Sequence, residues 1–122
     1  MEKELKLSNA DYRLLSIVWD SEPIASPELC KLAESQLGWK RTTTYTVLKR
    51  LCDKGVLQNV NTIVTSKIKR DHIQEIESRR IVSRVFDGSL PKFITAFLGK
   101  EKISDNEAEQ IKQIIDEYRR RK

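Results

Sequence analysis

The sequence contains few of the residues from which metal sites and active sites are commonly built. Its 122 residues include only two cysteines and one histidine, His72. Because a His/Cys metal site needs a cluster of such ligands, the sequence predicts no metal site. It also has no glycine-rich phosphate loop, no Gly-x-Ser-x-Gly turn and no His-Glu-x-x-His motif. We therefore expect no catalytic residue and no cofactor, which disfavours an enzyme.

Long apolar runs are absent as well. No segment approaches the roughly 18 consecutive apolar residues of a membrane-spanning helix, and residues 1–6 lack a signal-peptide core. These features predict a cytoplasmic protein without a membrane partner. Cys30 and Cys52 fall inside predicted helices, where we expect small core residues in a reducing compartment. A thiol switch at one of them is the alternative.

Charged residues are plentiful, and the basic ones predominate. Lys and Arg number 23 against 18 Asp and Glu, which gives a formal net charge of +5. This balance favours an anionic partner. The basic excess is concentrated in residues 39–54, where five basic residues accompany a single acid, Asp53.

That segment has the pattern of a helix packed on one side. Thr44, Val47, Leu48 and Leu51 follow the i, i+3, i+4, i+7 spacing, and Gly55 is placed to end the helix in a left-handed conformation. Hydroxyls and cations on the other face suit a helix at about 42–54 lying in a DNA major groove. The predicted DNA-binding residues are Lys40, Arg41, Thr42, Thr43, Tyr45, Thr46, Lys49 and Arg50. In the plainer alternative this is a solvated surface helix, with Thr43 as its cap and Arg50 paired with Asp53.

Two helices are predicted before this segment and a hairpin after it. Ser8 can cap the first helix, with Asp11 at the capping-box position, and Ser26 can cap the second, which Gly38 ends. The second and third helices then form a helix-turn-helix. Beyond Gly55, the β-branched runs at 56–60 and 63–68 predict a hairpin with a two-residue turn. Three helices followed by a hairpin indicate a winged helix in residues 1–71.

The pattern of residues 72–122 predicts three helical segments. About fifty residues cannot readily build an independent core, yet these helices carry many large apolar side chains. A second copy of the chain is the natural partner for such a surface, so we predict a dimerisation domain. Its predicted contact residues are Phe86, Phe93, Phe97, Leu98, Ile111, Ile114 and Ile115. The expected fold class is α+β, mainly α: a winged helix-turn-helix domain followed by a three-helix dimerisation domain.

The whole order resembles the BlaI/MecI/CopY family of repressors, of the penicillinase-repressor type. The segments that carry the resemblance are 7–11 before Val18-Trp19, then Gly38-Trp39, 46–51 with 54–57, and, in the C-terminal part, Phe97-Leu98 and 103–115. The family's copper-responsive branch adds a C-terminal cluster of cysteines that this chain lacks. The resemblance implies a homodimeric repressor that binds an inverted-repeat operator in double-stranded DNA.

The resemblance also implies how repression ends. In the best known family members, a sensor-linked protease leads to cleavage of the repressor. The family's Asn-Phe cleavage point falls on Ala96-Phe97, so this chain keeps the Phe and has Ala in place of Asn. A protein–protein module that docks an acidic partner on its basic helix is the main alternative function, and a thiol-responsive regulator is a third.

Overall fold

The structure is a computed structural model in which residues 5–121 are described. The chain divides into two compact units, residues 1–76 and 77–122. In chain order the elements are α1 (Asn9–Ser21), β1 (Ile24–Ala25), α2 (Ser26–Leu37), α3 (Arg41–Asp53), β2 (Leu57–Val60), β3 (Ile63–Ser66), α4 (Arg70–Val85), α5 (Leu90–Leu98) and α6 (Asp105–Arg119). No described helix is long and apolar enough to cross a membrane.

The first unit is a winged helix, as the sequence predicts. Three helices are followed by the β2–β3 hairpin, and β1 pairs with β3, so that the antiparallel sheet has the order β1-β3-β2. Asn61 and Thr62 form the two-residue turn, with φ angles of 52° and 65°. A β-branched residue such as Thr62 rarely adopts a left-handed conformation. Its carbonyl accepts a hydrogen bond from the Ser26 N–H at 2.8 Å, which ties the turn to the start of α2.

The core of this unit is formed by one face of each helix and by the inner side of the sheet. The predicted apolar stripe of α3 is confirmed, because Thr44, Val47, Leu48 and Leu51 are all buried. The side chains that enclose this stripe come from α1, α2, the strands and the start of α4. They include Leu14, Leu15, Val18, Leu29, Ala33, Val56, Leu57, Val64 and Ile73. Burial of the stripe turns the opposite face of α3 to solvent.

Most of the predicted helix ends are confirmed, and one is wrong. The capping box of α1 is present: Ser8 Oγ accepts from the Asp11 N–H at 3.1 Å, and Asp11 Oδ2 accepts from the Ser8 N–H at 2.9 Å. Gly38 ends α2 in the left-handed conformation. Ser26, however, does not cap α2; it is the first helical residue, and Ala25 takes the cap position. The reason is tertiary, since Ser26 is buried and its hydroxyl oxygen accepts a bond from Tyr45.

The second unit exposes most of its apolar side chains. Ser89 and Ser104 cap α5 and α6 by accepting bonds from the backbone N–H groups of Lys92 and Glu107. Neither α5 nor α6 contains a buried residue. The rings of Phe86, Phe93 and Phe97 contact one another in series: the first pair is edge-to-face with centroids 5.5 Å apart, and the second is tilted with centroids 5.9 Å apart. The large apolar side chains left exposed here are Ile81, Val85, Leu90, Phe97, Ile111, Ile114, Ile115 and Tyr118.

Candidate nucleic-acid interface

The predicted DNA-binding residues lie together on α3 and at its first turn. Lys40 occupies the cap position, and the other seven fall within the helix. Six of the eight side chains are exposed, whereas Tyr45 and Arg50 are half-buried. The six exposed residues are Lys40, Arg41, Thr42, Thr43, Thr46 and Lys49. The face opposite the core therefore presents hydroxyls and cations, a combination that can meet base edges and phosphates.

The exposed threonines Thr43 and Thr46 differ in position on α3 and in hydrogen bonding. Thr46 Oγ1 donates to the Thr42 carbonyl at 2.9 Å, so its hydroxyl proton is engaged within α3, and its methyl group and an oxygen lone pair are what it has left for an external contact. Thr43 lies in the first turn of α3, and Lys40 rather than Thr43 holds the cap position, with no side-chain cap hydrogen bond. The alternative in which Thr43 caps the helix is therefore wrong. Thr43 is exposed on the face of α3 opposite the buried stripe, which we call the open face of α3.

Tyr45 connects α3 to α2. Its hydroxyl donates to Ser26 Oγ at 3.4 Å, and the guanidinium of Arg41 lies 5.8 Å from the centre of its ring. The ring also packs against the core. Tyr45 therefore has a structural role in addition to the base contact predicted for it.

Lys49 and Arg50 have different partners, and Asp53 pairs with Lys49 and not with Arg50. Lys49 pairs with Asp53 at 3.2 Å, and both side chains are largely exposed. The Arg50 guanidinium instead binds Asp11 Oδ1, through Nε at 3.0 Å and Nη2 at 2.8 Å. The proposed Arg50–Asp53 pair is therefore wrong, because Arg50 points toward α1 and not along its own helix.

Asp11 is the residue at this site that sequence reasoning missed. Its side chain is 0% exposed, and besides Arg50 it binds Lys54 Nζ at 3.1 Å through Oδ2. Lys54 Nζ also donates to the Lys6 carbonyl. The only sequence signal for Asp11 was its position in the capping box. We call Asp11, Arg50 and Lys54 the α1–α3 charge cluster.

The pKa of Asp11 reflects these contacts. Burial alone would raise it, but the Ser8 N–H, the Arg50 guanidinium and the Lys54 ammonium together hold it below the ordinary value of 3.8. Because the pKa of Asp11 is lower in the folded than in the unfolded state, its ionised carboxylate stabilises the fold. This contribution is fully present at pH values above the unfolded-state pKa. The contribution is lost as pH falls through the folded-state pKa.

The lowered pKa of Asp11 predicts how the free energy of unfolding depends on pH in the acid range. Asp11→Asn should lower the free energy of unfolding by about 1–3 kcal/mol near pH 7, because the charge-assisted hydrogen bonds from Arg50 and Lys54 are weakened. The difference from the unsubstituted protein should shrink as pH falls below about 4. Urea unfolding followed by tryptophan fluorescence measures it in the first unit, which contains both tryptophans, Trp19 and Trp39. A difference that stayed constant down to pH ~2 would contradict the ionic origin.

The thiol-switch alternative receives little support. Cys30 is buried, and Cys52 lines a cleft of about 270 Å³ together with Tyr45, Lys49 and Asn59. Burial, followed by the charge of Asp53, raises the pKa of the Cys52 thiol. Because the thiolate is the reactive form, a raised pKa makes this cysteine less reactive toward oxidants.

Comparison with known proteins identifies the family. A family model described as "Penicillinase repressor" matches residues 7–117. The chain belongs to the penicillinase repressor family. This confirms the resemblance stated from the sequence, and it places the chain among repressors and not among enzymes.

Similar proteins span nearly the whole chain. The penicillinase repressor of Bacillus licheniformis is 26% identical over 126 residues, covering 100% of this chain and 98% of that protein. The methicillin resistance regulatory protein MecI of Staphylococcus aureus (strain N315) is 23% identical, covering 93% and 96%. The solution structure of the Bacillus licheniformis BlaI monomeric form in complex with the blaP half-operator has a TM-score of 0.49 and 25% identity, and covers 59% of this chain and 93% of that one.

Proposed function

We propose that the protein is a cytoplasmic, dimeric transcriptional repressor that binds an inverted-repeat operator in double-stranded DNA through α3. The observation that carries this proposal is the open face of α3, which has cations and hydroxyls and lies opposite the buried apolar stripe. Membership of a repressor family supports it. A helix with this division of faces can enter the major groove while its apolar side stays in the protein core.

The open face divides into phosphate contacts and base contacts. Lys40, Arg41 and Lys49 have exposed cations that can neutralise phosphates. Thr42, Thr43 and Thr46 can meet base edges with hydroxyls and methyl groups. The turn of the wing, Asn61-Thr62, carries no cation, so the wing should contribute little to phosphate binding.

Dimerisation through residues 72–122 would complete the operator complex, with residues 1–71 as the DNA-binding domain. The exposed Phe97 and the isoleucines of α6 provide apolar surface that a second copy can cover. A two-fold dimer holds two recognition helices near one DNA turn apart, about 34 Å, or a multiple of it. An inverted repeat has the matching symmetry.

Relief of repression by a sensor-linked protease is the last part of this proposal. The bond between Ala96 and Phe97 lies in the final turn of α5, and both side chains are exposed; that of Phe97 is 76% exposed. Cleavage there would separate α6 from the rest of the chain. Since α6 carries part of the predicted dimer surface, the cut would weaken the dimer.

Phosphate binding is tested by salt dependence. Binding to a duplex selected from genomic DNA is measured as a function of salt concentration, with a scrambled duplex for comparison. Lys40→Ala and Arg41→Ala should each reduce the magnitude of the log K against log[salt] slope by about 0.9 for each phosphate that the protein no longer neutralises. Lys100→Ala, at an exposed lysine outside the helices, is the matched control and should leave the slope unchanged.

The same titration separates the two function classes. A repressor binds the selected duplex more tightly than the scrambled one. A module that uses the basic face of α3 for an acidic protein would bind both duplexes equally and weakly. If both substitutions left the salt slope unchanged, neither Lys40 nor Arg41 would be a phosphate contact.

A further inference from the structure

The cations of α3 and its ends fall into two groups with different surroundings. The Lys49 side chain is 79% exposed and pairs with the exposed Asp53. The Arg50 side chain is 41% exposed, that of Lys54 is 30% exposed, and both bind the buried carboxylate of Asp11. The second group therefore directs donors to protein and not to solvent. The charge cluster joins the C-terminal end of α3 to the N-terminal end of α1, and Arg50 and Asp11 are 39 positions apart in the sequence.

The geometry of the cluster restricts α3 in a way that apolar packing does not. Apolar contacts are non-directional, so a helix resting on the core alone can turn slightly about its axis. The Arg50 guanidinium places two donors on one Asp11 oxygen, and Lys54 binds the other oxygen. Charge-assisted bonds of this kind have defined directions. A carboxylate that is buried and bound from two sides fixes the rotation of α3 relative to α1.

We infer that Asp11 is a positioning residue for operator recognition, which holds Arg50 and Lys54 back from DNA phosphates and sets the orientation of α3. This inference rests on the proposed function. Arg50 is thereby given a role different from the phosphate contact expected from sequence. Asp11 does not touch DNA; it acts through the two cations that it binds.

Two consequences for DNA recognition follow. Cations released from Asp11 would be free to bind phosphates of any sequence, which raises non-specific affinity. A helix with less defined rotation would bring Thr43 and Thr46 less accurately to base edges, where errors of about half an ångström matter. The first change raises affinity for any duplex, whereas the second lowers affinity for the operator alone. The second change is therefore the one that lowers the ratio of operator affinity to non-specific affinity.

The test compares Asp11→Asn with Asp53→Asn in the full-length protein. Each substitution removes one negative charge. Asp53→Asn releases Lys49 and Asp11→Asn releases Arg50 and Lys54, but only Asp11 is buried and joins α1 to the C-terminal end of α3. Affinities are measured for the selected duplex and for its scrambled version over a range of salt concentrations. Asp11→Asn should lower the specificity ratio by about tenfold or more and should steepen the salt slope on scrambled DNA by about 0.9 for each cation that gains a phosphate. Asp53→Asn releases Lys49, whose phosphate contacts do not depend on sequence, so both affinities should change by the same factor and the ratio should stay constant.

A role limited to folding predicts a different result. Loss of folded protein lowers both affinities by the same factor, so the ratio stays constant. If Asp11→Asn fails to fold, Arg50→Gln serves instead, because Lys54 still neutralises Asp11. Arg50→Gln should lower the specificity ratio without reducing the salt slope, and Arg50→Lys should restore the ratio in part.

Three outcomes overturn the inference. The first is that Asp11→Asn has the same specificity ratio as Asp53→Asn. The second is that Arg50→Gln has the same specificity ratio as the unsubstituted protein. The third is a reduction of about 0.9 in the salt slope of Arg50→Gln, which would make Arg50 a phosphate contact. If the unsubstituted protein itself fails to distinguish the selected duplex from the scrambled one, the proposed function fails instead.

Discussion

A chain that ends at Ala96 is expected to be a monomer and to lose about 10²–10⁴-fold in operator affinity. In a dimer the second half-site is bound intramolecularly, at a high effective concentration. The truncation removes Phe97, Leu98 and the whole of α6, and with them most of the exposed apolar surface of the second unit. The two recognition helices would then bind independently.

The first unit should survive this truncation. Its core is built from residues of α1, α2, α3, the sheet and Ile73, all of which the shorter chain keeps. Sedimentation measures the oligomeric state, and tryptophan fluorescence reports on the fold of the first unit. A chain ending at Arg119 is the control, since it keeps α6 complete and should remain dimeric. A truncated chain that stayed dimeric, or that bound the operator as tightly as the full chain, would refute the assignment of the dimer surface and the proposed route to derepression.

Removal of the side chains that read bases should give the second largest effect. Thr43→Ala or Thr46→Ala should cost about 1–3 kcal/mol at the operator and little on scrambled DNA. Both side chains are exposed on α3, so the stability of the fold should change little. Fluorescence titration of the two duplexes gives the comparison, and equal losses on both would show that neither threonine reads sequence.

The hydrogen bond from Thr46 to the Thr42 carbonyl allows a sharper experiment. Because the hydroxyl proton is already engaged, the methyl group is the part of Thr46 best placed to touch a thymine methyl. Thr46→Val keeps a methyl group there and should keep most of the affinity, whereas Thr46→Ser should lose it. The opposite order would assign recognition to the hydroxyl oxygen.

Features governed by neighbouring residues could be predicted from the sequence. The capping box of Ser8 and Asp11, the stop at Gly38 and the stripe from Thr44 to Leu51 each depend on residues within a turn or two of one another. Side-chain period and backbone preference act over that same range. The order of these local signals was enough to predict a winged helix and to find the family resemblance, which the family model confirms.

Features governed by distant residues were decided only by the tertiary structure. Ser26 looked like a helix cap, but packing buries it under Tyr45, 19 positions away. From the sequence, Arg50 was predicted to contact DNA or, in the plainer alternative, to pair with Asp53, yet it binds Asp11 across 39 positions. The physical reason is the same in both: a buried polar group must find a partner wherever the fold brings one, and burial makes that bond more important than a solvated pair close in sequence. The sequence alone thus determined which face of α3 is open, and the tertiary structure decided which of its cations are free.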